Sequence, residues 1–247
     1  MSNGVKTILL VADISGYTKF MKSYAESINH AKQIIVRLLK SIINASKPPL
    51  KVAELEGDAV FFYASASEAN LEKVALKVKE QLIKLFAAFK KELEILSGMN
   101  MCKCDACVKV GELKLKQVLH SGDVEFEKIH KREKLFGLDV IVVHRMLKNS
   151  VPSNEYVMMS RPVYTNFVDF YGLQPEHRKE SFEGIGEIDT VVFYPENIIQ
   201  SSELLHEKKS SPSLKDRIAW MARIVPRTFL DLFGIVKIKG TFNNLPS

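Results

Sequence analysis

Ile8-Leu-Leu-Val-Ala12 is an unbroken apolar run that stops at Asp13 and is followed at once by Ser15-Gly16. Five apolar residues in a row, without polar alternation, read as a buried strand rather than a surface one. Residues 6–13 are therefore expected to form a strand that the Ser-Gly pair ends. Residues 17–46 then show helical spacing, with Phe20, Tyr24, Ile28, Ile35, Leu38 and Ile42 along one side, until Pro48-Pro49 stops the helix. Residues 50–55 and 59–64 read as two strands joined through Glu56-Gly57-Asp58, a hairpin with a turn-forming pair. Residues 71–96 form a second long amphipathic helix, followed by a polar loop that carries the cysteines.

Further along, residues 113–120 alternate like a strand, and Gly122 reads as a turn. Residues 134–136 lead into Gly137, and 140–147 read as a short helix. Strands are expected at 156–159, 173–182 and 190–194, with a helix over 162–170 between the first two. The order β-α-β-β-α-β, continued by α-β-α-β, predicts an α/β (α+β) fold. Its core is ferredoxin-like, with additional C-terminal elements. Residues 1–200 make one domain. Residues 201–212, ending on Ser210-Ser-Pro212, read as a linker, and 213–247 as a basic amphipathic helical tail.

Composition narrows the setting. With 46% hydrophobic and 26% charged residues the chain belongs among soluble globular proteins. No apolar run approaches the roughly 18 residues of a membrane span. The run at 8–12 is too short for a signal peptide or an anchor. A formal charge of +6 suits an anionic partner, but the basic residues are spread along the chain, so a nucleic-acid partner is not expected. Three crowded cysteines do not make a secreted disulfide framework, which points to a reducing cytoplasm.

Two carboxylates carry the chemistry. Asp13 stands where a strand ends and a helix begins, so it can hold a hard divalent cation while the turn's backbone N–H groups face phosphate oxygens. Asp58 stands at the tip of the following hairpin. If the two strands are neighbours, both carboxylates converge on one metal pair, able to activate a hydroxyl and neutralise a triphosphate. Taken singly, each has a plainer role, Asp13 as a helix cap and Asp58 as a turn residue.

Four segments in order resemble the class III adenylyl and guanylyl cyclases. Val11-Ala-Asp-Ile-Ser-Gly-Tyr-Thr-Lys-Phe20 is similar to their first metal-binding motif and Glu54-Leu-Glu-Gly-Asp58 to their second. Leu135-Phe-Gly137 through Arg145-Met146 resembles the segment ending in the transition-state arginine. Phe182-Glu-Gly-Ile-Gly-Glu187 with 190–194 resembles the closing hairpin. The resemblance spans roughly residues 5–195 and implies a metal-dependent cyclase, a lyase that makes cyclic nucleotide from GTP or ATP. It implies two Mg²⁺ or Mn²⁺ ions at Asp13, the Ile14 backbone and Asp58. Ser15, Gly16, Tyr17, Thr18 and Gly57 would lie around the nucleotide, Glu54 and Lys134 at the purine, and Arg145 at the α-phosphate. It further implies a head-to-tail homodimer with composite sites: Asp13 and Asp58 from one protomer, Glu54, Lys134 and Arg145 from the other.

Glu54 occupies the purine-reading position, where the resembled family has glutamate for guanine and lysine for adenine. An acceptor at Glu54 and a donor at Lys134 complement guanine; the alternative is that they simply pair with each other. Two departures favour a second outcome, a silent nucleotide- or metal-binding regulator. Ile141 stands where the family has asparagine, and the closing hairpin lacks the family's phosphate-holding lysine, leaving Lys179 or Lys148 as substitutes.

Cys102, Cys104 and Cys107 offer three thiolates within six residues, enough for three corners of a zinc site, with His120, His130 or a partner protomer as the fourth. Ordinary free thiols are the alternative. His30 and His144 lie among apolar residues and read as structural. The tail mixes Leu214, Ile218, Met221, Phe229, Leu232 and Phe233 with Lys and Arg, a composition for packing on its own domain or for peripheral contact with an anionic membrane.

Overall fold

The computed structural model describes residues 4–22, 28–99, 105–167, 169–196 and 218. Its axis is β1 (Val5–Ser15), which lies between β3 (Ala59–Ser65) and β4 (Lys114–Ile129), antiparallel to both. Adding β2 (Lys51–Glu56), β6 (Tyr156–Ser160), β7 (Glu176–Phe182) and β8 (Gly186–Phe193) gives the order β2-β3-β1-β4-β6-β8-β7, with β5 (Arg132–Phe136) paired to β4 alone. The β2-β3-β1-β4 half is the expected ferredoxin-like core.

The continuous apolar run of β1 has its explanation in two separate cores. Ile8, Leu10, Ala12 and Ile14 pack under α2 (Ile28–Ala45) and α3 (Leu71–Ser97). Leu9 and Val11 face the other way, with Phe61 and Val118, under α5 (Leu138–Met146). A strand buried on both faces has no polar phase to show.

Several expected boundaries move. The helix over 17–46 is described as α1 (Tyr17–Lys22) and α2, and residues 23–27 lie outside the description. The helix expected over 162–170 is α6 (Arg161–Thr165), with Asn166 at its C-terminus donating from Nδ2 to the Pro162 carbonyl at 2.7 Å. Strands expected from 173 and 190 begin at Glu176 and Gly186. Gly122 is no turn: β4 runs through it, paired with Thr7, and beyond Val124 it continues with β5 as a two-stranded arm. The linker 201–212 and all of the tail except residue 218 lie outside the described residues. No helix among the described residues is long and apolar enough to cross a membrane.

Candidate functional site

Sheet register brings the two carboxylates together. Asp13 is the direct partner of Ala59, and the Ile14 N–H donates to the Asp58 carbonyl at 3.1 Å, so both acids sit at one end of adjoining strands. Asp13 continues the phase of Leu9 and Val11, which places it on the α5 side of the sheet. Gly57 reaches φ +65° to close the hairpin, and Gly16 reaches φ +90° to release β1 into α1, both left-handed conformations suited to glycine. Phe20 N–H donates to the Gly16 carbonyl at 2.9 Å, forming the first helical turn with Tyr17 and Thr18 in it. Ser15 is buried, and the Ile14 side chain is committed to the core, so the Ile14 carbonyl oxygen is the one atom it could offer an ion.

Burial pushes the Asp58 carboxyl up to about 6, and the negative charge of Asp13 adds to the effect. The pair is therefore a like-charge cluster held partly out of water. Among the described residues one cation answers it: Lys116 Nζ lies 2.9 Å from Asp13 Oδ2, because β4 sets Lys116 directly opposite Asp13. Sequence reading missed Lys116. Its signal was a lysine on the phase of Val118 and His120, opposite the phase of Leu115, Gln117 and Leu119. Tyr156 is the parallel neighbour of Lys116 on β6; burial pushes its phenol up, and the hydroxyl accepts a bond from Asn149 Nδ2 at 2.7 Å.

This donor set fits the divalent cation the resemblance implies. All the donors are oxygens, the preference of Mg²⁺ and Mn²⁺ rather than of softer metals. A charged, partly buried acid pair with a single compensating lysine is also electrostatically unfinished. No cluster of three His, Cys, Asp or Glu side chains is placed to hold a metal among the described residues, so a second ion would need phosphate oxygens and water.

A second region lies on the same hairpin. Glu54 sits just after a bulge in β2, and Lys134 Nζ on β5 donates to its Oε2 at 2.5 Å. The pair lines a cavity of about 590 Å³ with Lys51, Tyr63, Arg132 and Glu133. Tyr63 donates to Glu133 at 2.6 Å, and burial followed by that bond pushes its phenol up to about 12. Both side chains of the Glu54–Lys134 pair are more than a third exposed, and exposed pairs are worth about 0–1 kcal/mol, so a ligand can part them cheaply.

Helix α5 carries Arg145, which is exposed and has no ion-pair partner among the described residues; it does not reach Asp13 or Asp58 of its own chain. Two polar contacts fix this helix. His144, expected to be merely structural, donates from Nδ1 to the Val140 carbonyl at 2.7 Å and faces Glu56 with Nε2 at 2.9 Å. His120 Nε2 donates to Asp139 at 2.9 Å and its Nδ1 accepts from the Ser160 hydroxyl at 2.7 Å. Burial lowers the His120 pKa in spite of Asp139, in keeping with this neutral ring.

Those bonds overturn His120 as a zinc ligand. Both ring nitrogens are spent, and it faces α5, whereas Cys107 in α4 (Asp105–Val108) packs with the α2–α3 layer. His130 sits at the turn of the β4–β5 arm. The histidine beside Cys107 is His30, with Nδ1 3.8 Å from Sγ; Cys102 and Cys104 lie outside the described residues. Lys179 is also misplaced as a phosphate holder: it is exposed on the edge strand β7, four strands from β1, in a groove with Arg161 and Asp189. Ile141 is 52% exposed on α5.

A family described as a protein of unknown function (DUF2652) matches residues 35–156. An uncharacterised Mycobacterium tuberculosis protein, Rv2561/Rv2562, is 35% identical over 156 residues, covering 63% of this chain and 71% of that protein. Among solved structures, the adenylyl cyclase CyaB from Pseudomonas aeruginosa superposes with a TM-score of 0.58 at 15% identity, over 76% of this chain and 94% of that one. The guanylyl cyclase Cya2 gives a TM-score of 0.57 at 14% identity, over 76% and 93%. Likeness at such low identity speaks for the fold alone. The chain thus has the class III nucleotide-cyclase fold and belongs to the family of Rv2561/Rv2562.

Proposed function

We propose that this chain is a divalent-metal-dependent purine nucleotide cyclase, turning GTP or ATP into the 3′,5′-cyclic nucleotide and pyrophosphate. The observation that carries this reading is the half-buried Asp13–Asp58 pair, incompletely balanced by Lys116, at the ends of adjoining strands. Mg²⁺ or Mn²⁺ bound there supplies acidity to the ribose 3′-hydroxyl and charge to the phosphates. The chain's own residues hold and orient. Asp13 and Asp58 fix the ion, and Lys116 adds a cation on the phosphate side. Glu54 and Lys134 of a second copy meet guanine N1–H, N2–H and O6. Arg145 of a second copy stabilises charge at the α-phosphate, as the 3′-oxygen displaces pyrophosphate and its proton leaves to solvent.

Dimerisation belongs to the same reading. Six of the ten exposed large apolar residues among the described ones, Val52, Leu55, Ile129, Phe136, Leu138 and Ile141, stand on β2, the β4–β5 arm and α5, around the half-site that lacks metal ligands. A second copy covering that side would complete both sites. A cytoplasmic setting suits the nucleotide substrate.

Ile141 and the distant Lys179 favour a second reading, a dimeric regulator that binds nucleotide without turnover. Full-length protein incubated with Mn²⁺ and GTP or ATP, assayed by mass spectrometry for cyclic nucleotide, decides between them: product supports the enzyme, and bound but intact nucleotide supports the regulator. For the cysteine segment we propose Zn²⁺ on Cys102, Cys104 and Cys107, three soft thiolate donors within six residues, with the fourth ligand from a partner protomer. Metal-free protein on elemental analysis after purification without chelator would remove that ion.

A further inference from the structure

Lys116 has a consequence for how the acid pair takes up a metal. Its ammonium lies 2.9 Å from Asp13 Oδ2, with the two side chains 20% and 15% exposed, so the contact is largely sheltered from water. The register of β1 with β4 leaves little choice: Lys116 stands opposite Asp13 on the same face, and Tyr156 of β6 flanks it. The groups facing this point are two carboxylates, one ammonium and one neutral phenol. Their net charge is −1 when both acids are ionised. A divalent ion entering at Asp13 meets a positive charge already on one of its oxygens, in surroundings where water screens poorly.

We propose that Lys116 is a built-in competitor for the divalent cation at Asp13. In the free chain the ammonium takes the place of the metal, and the ion binds weakly. An anionic ligand arriving with the ion offers Lys116 a second partner, frees the Asp13 oxygen, and so makes metal uptake depend on that ligand. This device explains why a sheltered acid pair is stable without metal. It also prevents the site from holding an idle ion, and it rests on the metal-binding reading of Asp13 and Asp58 given above.

The test is Mn²⁺ titration of the nucleotide-free full-length chain, followed by the electron paramagnetic resonance signal of free Mn²⁺. Lys116→Met keeps the aliphatic stem and removes the charge. The expected result is at least ten-fold tighter Mn²⁺ binding than in the unaltered chain, which corresponds to about 1.4 kcal/mol, with binding lost when Asp58→Asn is added. Equal or weaker binding in Lys116→Met, still lost with Asp58→Asn, overturns the competitor and leaves the metal site standing. Absence of Mn²⁺ binding in every variant, with or without GTP, overturns both. A second measurement needs no variant: amine acylation of the unaltered chain, mapped by mass spectrometry. Lys116 should become more reactive at millimolar Mn²⁺, and unchanged reactivity contradicts the proposal.

Discussion

Replacing Asp58 with asparagine should stabilise the metal-free chain while disabling its site. Burial, then the charge of Asp13, moves the Asp58 carboxyl from 3.8 to about 6 in the folded state. A shift of about 2 units at 1.36 kcal/mol each disfavours the charged form by about 3 kcal/mol. Asp58 is only partly buried and Lys116 offsets some of the repulsion, so about 1–2 kcal/mol is the realistic share. The sign follows from proton binding. Between pH 3.8 and about 6 the folded chain holds a proton that the unfolded chain has released. Stability from this group therefore falls as pH rises through that window, and it levels off above about 6. Asparagine resembles the protonated acid and escapes the fall. Urea denaturation in EDTA should show Asp58→Asn more stable than the unaltered chain by about 1–2 kcal/mol at pH 7.5, and nearly equal to it at pH 4. Adding Mn²⁺ at pH 7.5 should stabilise the unaltered chain alone. A variant less stable at pH 7.5, or a difference independent of pH, would refute the like-charge account of the pair.

Two other substitutions probe neighbouring elements. With Mn²⁺ present, the unaltered chain should bind GTP more tightly than ATP, and Glu54→Lys should erase or invert that preference without loss of metal binding; competition with a fluorescent nucleotide measures both, and equal affinities would mean that Glu54 and Lys134 serve only each other. Gly122→Ala would set its Cβ 1.9–2.4 Å from the Asp139 carboxyl group, displacing it from His120 and from the Asp123 N–H. Thermal or urea unfolding should show a loss of about 2–3 kcal/mol, and a loss under 0.5 kcal/mol would mean that the network does not anchor α5.

Local signals in the chain reach some features and stop short of others. The apolar run of β1, the Gly57 hairpin and the spacing of α3 are written in consecutive residues, and each lies where its pattern predicts within a residue or two. Asp13 and Asp58 were legible because each stands beside a glycine-bearing turn, Asp13 near the end of β1 and Asp58 just before β3. Gly122 misled because its reason is not local: it makes room for Asp139, seventeen residues further on, and β4 passes through it. Lys116 and His144 needed registers and packing that no window displays. One depends on strand pairing with β1; the other depends on α5 lying over the Glu56 end of the hairpin. His120 failed as a fourth ligand for the same reason, since no window shows that it lies on the other face of the sheet from Cys107.

The central claim is that Asp13 and Asp58 together make a divalent-metal site for a purine nucleoside triphosphate. The most direct measurement is equilibrium binding of GTP to the full-length chain by isothermal titration, with Mn²⁺ and with EDTA, in the unaltered protein and in Asp13→Asn and Asp58→Asn. The account predicts binding that requires Mn²⁺ and weakens at least ten-fold in either variant. GTP binding that is equally strong in EDTA, or untouched by both substitutions, would contradict it.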